Sequence, residues 1–243
     1  MSEFHPQRVP FKSILFWLRE GLALSIAKPL SIVAVIALYF ALGNFQAASP
    51  DIMGRVVFLS TSFLLAIICI FAEAIDKGRN LFDNLKAKPF SMWVNVLLVG
   101  VIPLGIDAFF EFLAALEILP RPEPIKPPDV IEKNAGIDFG GYCIAAGPWM
   151  LLMIPLISNA GLSFIHALKQ SFLAVLINLF IFPLVFIIPF ISLLISMISE
   201  YLVFPWIAIF GCAQYVAYRH IWLNKLENSY KPMKAQSISV LAK

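Results

Sequence analysis

Asp107 and Glu111 stand four residues apart in the run IDAFFEFLAALE, a spacing that puts two carboxylates on one face of a helix. Within an apolar stretch such a pair suits a proton, cation or small-solute site, because an ionisable group at bilayer depth is costly and marks function by default. Pro103 and Gly105 just ahead of them offer a kink that would open backbone carbonyls beside that face. Counted from Ser91, however, the carboxylates fall about 24 and 30 Å along the helix. That is close to the far interface, so an acidic helix end continuing through Glu117 is the simpler expectation.

Other groups suggest binding rather than reaction. Lys28, Lys169 and Arg219 are candidates for a lipid head-group site, since cations between helices on the cytoplasmic side bind anionic heads. Asn95 and Asn178 lie a turn or two inside apolar runs, where an amide needs a partner. They are expected to face each other in interhelical contacts worth about 0.6 kcal/mol each. Glu73 and Asp76 immediately precede Lys77 and Arg79 and are expected to pair with them.

Catalysis has little to build on. The three histidines, His5, His166 and His220, form no His-Glu-x-x-His pair, and no glycine-rich phosphate loop follows a strand. Gly161-Leu-Ser163-Phe resembles a serine nucleophile turn without a convincing base beside it. Cys69, Cys143 and Cys212 each sit in apolar sequence without metal-ligand spacing, and read as small buried hydrophobes. No metal, cofactor or catalytic residue is expected.

The elements that must position these groups follow from composition. The chain has 243 residues, 60% hydrophobic and 14% charged, against about 25% charged in a soluble domain. Six apolar stretches, near residues 29–47, 56–72, 91–118, 141–158, 172–196 and 201–222, are each long enough to cross a hydrocarbon core about 30 Å thick. The last two are divided only by Ser199 and Glu200 and must turn back tightly. No secretory peptide is expected ahead of the first span, which would itself serve as the targeting signal. The net charge of +3 is spread over several loops, which excludes a nucleic-acid-binding arm.

Fourteen of the 18 lysines and arginines fall on one side of this six-span arrangement and four on the other. The positive-inside rule then places both termini, residues 1–28 and 223–243, in the cytoplasm. The outer loop, 119–140, contains RPEPIKPP, whose prolines favour an extended connection. Three cytoplasmic segments, Phe11–Lys28, Arg79–Phe90 and Leu162–Phe172, carry apolar residues at helical spacing before running into a span. In the first, Ile14, Leu15, Leu18, Leu22 and Ile26 form one face, as in a helix lying in the membrane interface. Leu81–Asn95 aligned on Phe164–Asn178 matches a leucine–lysine step and the final asparagine. The expected fold is therefore all-α and integral to the membrane, a single domain of elbow helices and transmembrane hairpins used three times.

The elbow WLREG (Trp17–Gly21) followed by Lys28-Pro29, and the closing YVAYRHIW (Tyr215–Trp222), resemble a broad bacterial group. It comprises six-span inner-membrane proteins related to YciC and to the membrane domain of glycerophosphodiester phosphodiesterases. The resemblance implies a bacterial inner-membrane location and carries over no catalytic residue. The expected role is non-enzymatic, through a protein or lipid partner, the bilayer itself or a second copy of the chain. The alternative is a small transporter or channel subunit using Asp107 and Glu111.

Overall fold

A computed structural model of the chain describes residues 5–29, 32, 33, 36, 37, 50–116, 152–181, 183–198 and 202–223. Every element among them is helical: α1 (Ser13–Ala27), α2 (Pro50–Asp76), α3 (Leu81–Lys86), α4 (Phe90–Ala115), α5 (Phe164–Ile177), α6 (Leu184–Ile198) and α7 (Val203–Leu223). A 3-10 turn, Leu179–Ile181, separates α5 from α6, and residues 152–158 form a further helical stretch. Leu59–Asp76 within α2 is long and apolar enough to cross a membrane. The outer loop, most of the expected spans 29–47 and 141–158, and nearly all of the C-terminal tail lie outside the described residues.

The same device ends α2 and the 152–158 helix. Gly78 and Gly161 adopt φ of +61° and +69°, a left-handed conformation that costs glycine little. The Gly78 N–H bonds the Ile75 carbonyl and the Arg79 N–H bonds Ala74, while after the second helix Gly161 and Leu162 bond Ile157 and Leu156. Carbonyls left open at each helix end are thereby satisfied. Each glycine stands three residues ahead of the next helix, α3 or α5. Asn80 caps α3 by accepting from the N–H groups of Phe82 and Asp83.

The helices alternate in direction around α7. α2 runs parallel to α7, with Ile68 against Gly211 and Asp76 beside Arg219. α4 runs back along α2, stacking Trp93 on Phe63 with centroids 5.9 Å apart and bringing Gly100 against Leu59 and Ser62. α6 and α7 lie antiparallel, tied by Trp206 Nε1–H donating to Ser192 Oγ at 2.8 Å. α1 is antiparallel to α7: the Gln7 N–H reaches the Ile221 carbonyl at 2.8 Å, and Gly21 meets Ala213 and Ile209. A Cβ on Gly21 would lie 2.7 Å from the Ala213 nitrogen and 2.8 Å from the Ile209 oxygen. Only glycine lets these two backbones approach so closely.

Two expectations change here. α1 packs lengthwise on α7 rather than lying across the end of the bundle, and the side it buries is Ser13, Trp17, Gly21, Leu24 and Ser25. Leu15 and Ile26, from the expected apolar face, point outward at 73% and 63% exposure. Small side chains make the contact because they permit close backbone approach. The third elbow also continues past Phe172 to Ile177, so the apolar run 172–196 is not one helix. Asn178 ends α5, and Pro183 has no N–H with which to carry the ladder onward. The resulting α6 of 15 residues is about 22 Å long.

Candidate functional site

Polar side chains gather where α2, the 152–158 helix and α7 end and α4 begins. α2 supplies Glu73 and Asp76, three residues apart and so on neighbouring faces one turn from the helix end. One Glu73 oxygen accepts from Lys77 Nζ, one turn on. The other accepts from Lys88 Nζ at 3.0 Å and from Asn159 Nδ2 at 3.1 Å. Asn159 Nδ2 also reaches the Cys69 carbonyl at 3.2 Å. A single carboxylate with 8% of its side chain exposed therefore joins α2, the α3–α4 connection and the end of the 152–158 helix.

Asp76 turns the other way. It accepts from Tyr215 OH at 2.8 Å and from Arg219 Nη1 at 2.6 Å. The ion pair is almost fully enclosed, with 7% of the Arg219 side chain and 10% of the Asp76 side chain exposed. Two charges taken out of water in this way are held by direct hydrogen bonds, and removing one strands the other. A turn farther in, Cys69 Sγ donates to the Gly211 carbonyl at 3.4 Å. On the opposite side of α7, Trp17 Nε1–H donates to His220 Nδ1 at 3.0 Å. That bond requires Nδ1 to be the acceptor, which leaves the imidazole proton on Nε2. Chemically the cluster is closed: both carboxylates already hold cations, and a migrating ion would have to displace a lysine or an arginine.

An apolar cavity of about 130 Å³ adjoins it, walled by Trp17, Ile188, Trp206, Phe210 and Gln214 among others. Gln214 is 5% exposed and its Nε2 has no hydrogen-bond partner. Among the described residues no group of three His, Cys, Asp or Glu side chains is placed to hold a metal ion. No family model, curated protein or solved structure matches the chain.

The residues singled out from sequence are distributed differently from expectation. Asn95 and Asn178 do not bond each other. Asn95 Oδ1 accepts from the Phe164 N–H at 3.1 Å, at the start of α5. Asn178 Oδ1 accepts from the Val9 N–H at 2.8 Å while its Nδ2 donates to the Gln7 carbonyl at 3.1 Å. Each amide thus ties down the backbone of another segment. Lys28 and Arg219 are not brought together. Lys28 follows α1 where Ser25 and Pro29 share a cavity wall with Phe204 and Ala208, and Ala208 lies about 16 Å along α7 from Arg219. Lys169 is exposed on α5, and Arg219 is engaged by Asp76. Asp107 and Glu111 fall in the helical backbone of α4, and their side chains lie outside the described residues.

Asp76 was expected beside Arg79 and is found with Arg219. Its long-range partner had one signal in the sequence, the Tyr215 and Arg219 pair four residues apart on the last helix. Ser163 Oγ and His166 Nδ1 stand 2.8 Å apart on the exposed first turn of α5, the reach of an N-cap side chain toward the third helical position.

Proposed function

We propose that the chain is a six-span integral protein of the bacterial inner membrane, related to the YciC-like group, with both termini cytoplasmic. Its role is non-enzymatic and lies in holding a protein or lipid partner. The observation that carries the membrane reading is the inverted polarity of the helix faces. α1 buries Ser13, Gly21 and Ser25 together with Trp17 and Leu24, and exposes Leu15, Leu22 and Ile26. α5 buries Ala167, Ser171, Ala174 and Val175 and exposes Ile165, Phe172 and Leu176 along with Lys169. α6 buries Ser192 and Ile188 and exposes Ile187, Phe190 and Leu194. In water such faces would reverse, because exposed leucine and isoleucine gain about 1.5 to 3 kcal/mol each on burial. In hydrocarbon that gain vanishes and small residues mediate helix contact instead.

α2, the 152–158 helix and α7 all end at the polar cluster, while α4 runs back along α2 and α6 runs opposite to α7, an up-and-down order that supports an even number of crossings. The binding role is favoured by the closed polar cluster, whose carboxylates serve as ties between helices. Reporter fusions test the topology, with positions near 130 expected outside and positions near 80, 161 and 225 expected inside. A fusion near 130 that reports from the cytoplasm would overturn the six-span arrangement. For the binding role, purification of the full chain in native nanodiscs should retain one partner protein or lipid at fixed stoichiometry. A ligand-free particle that conducts ions or solute would overturn it.

A further inference from the structure

Residues 77–90, which join α2 to α4, are fastened on one side and unpartnered on the other. Inward, Leu81 and Asn84 are buried, Asn84 Nδ2 donates to the Ile70 carbonyl at 3.1 Å, and Lys88 is held by Glu73. Outward, Phe82 and Phe90 are 62% and 81% exposed, and Arg79 and Lys86 stand exposed beside them. Neither cation holds an ion pair among the described residues. The nearby acids Glu73 and Asp76 are turned inward on their own cations, which leaves Asp83 as the exposed carboxylate of the segment. Phe82 rests on Phe71 by a T-shaped contact with centroids 6.4 Å apart yet leaves most of its ring open, and two such exposed phenyl rings among cations are poorly served by water, and equally by a purely apolar medium. An anionic lipid surface satisfies both, with apolar matter below and phosphate above.

The segment also lies at the right end of the molecule. Asp76, just before it, contacts Tyr215 and Arg219 near the end of α7, the end that the positive-charge asymmetry of the loops assigns to the cytoplasmic face. We propose that residues 77–90 are a docking surface for anionic phospholipid head groups. Phe82 and Phe90 seat at the acyl boundary, and Arg79 and Lys86 lie against phosphates. This site rests on the membrane reading above and replaces the expected grouping of Lys28, Lys169 and Arg219.

The test uses the full chain in vesicles of equal phosphatidylglycerol and phosphatidylcholine, one lipid or the other brominated. Tryptophan is introduced as Phe82→Trp and, separately, Phe90→Trp, and the added emission over wild type is followed. One cation at the surface enriches anionic lipid about fivefold locally. Brominated phosphatidylglycerol should therefore quench the new tryptophan at least about twofold more than phosphatidylcholine, and Arg79→Gln with Lys86→Gln should return that ratio to about one. Equal quenching by both lipids, a preference that survives the double substitution, or no quenching at either position would each overturn the proposal. The native Trp93 and Trp206 provide the separate check: if no brominated lipid quenches them, the membrane reading itself fails.

Discussion

The α1–α2–α7 side and the α5–α6 arm are built from the same apolar alphabet yet held by different means. On the first side, Gly21 brings two backbones into direct contact, Gly211 makes room for the Ile68 side chain, and enclosed side-chain bonds lock the result: Trp17 to His220 and Asp76 to Tyr215 and Arg219. On the second, α5 is tethered at its ends by Asn95 and Asn178, and α6 by the Trp206 bond to Ser192. Its outer face carries the exposed apolar residues Ile165, Phe172, Leu176, Ile187, Phe190, Leu194 and Ile198, interrupted on α5 by Lys169. The contrast shows where geometry is specified. Polar bonds and glycines fix one half rigidly, while the arm is defined by a few tethers and by whatever medium wets its outer face.

The largest test of that contrast is Asp76→Ala, which leaves Arg219 buried without its counter-ion. A loss of about 3 to 5 kcal/mol is expected, measured by denaturation in mixed micelles, and Asp76→Leu with Arg219→Leu should recover most of it. A loss below about 1 kcal/mol would show that the pair does not lock the seam. Next is Gly21→Ala, where the new methyl meets backbone atoms that cannot rotate away, at an expected cost of about 1 to 3 kcal/mol. Gly211→Ala should cost less, because the nearest obstacle is the Ile68 side chain. If the two cost the same, side-chain relief does not operate at this crossing.

A smaller effect is expected at the arm's tether. Asn178→Ala removes the acceptor for the Val9 N–H, and about 1 kcal/mol of stability should be lost. Proteolysis of the N-terminal segment should quicken in parallel. Smallest of all, Phe172→Ala on the bare face should stay within about 0.5 kcal/mol. A larger loss there would mean that the arm packs against protein rather than lipid, and would erase the distinction.

Much of the helical plan was legible, for physical reasons that also mark its limits. The helix over 56–72 and the division of the last apolar block into two antiparallel helices declare themselves because uninterrupted apolar length needs no partner to be read. The Glu73–Lys77 tie follows from helical spacing. Asp76 misled because proximity in sequence favoured Arg79, whereas helix direction delivers Arg219 from the far end of the chain. The faces of α1 misled for a deeper reason: amphipathic spacing names two faces but does not say which one meets protein. That choice is set by Gly21 and Ser25 matching a bare stretch of α7, information that lies in both helices together. The end of α5 was hidden because Asn178 looked like an amide inside a span, when it is the residue that stops the helix.

The seam has a consequence in time as well as in space. Every lock on that side closes onto α7, and a ribosome makes α7 after all the other helices described. During synthesis Trp17, Gly21, Cys69 and Asp76 are therefore made while their mates are still absent, and Asp76 in particular waits without Arg219. A chain halted before α7 would display an unneutralised carboxylate and an uncovered glycine surface, so this side of the molecule closes only when its last described helix is complete.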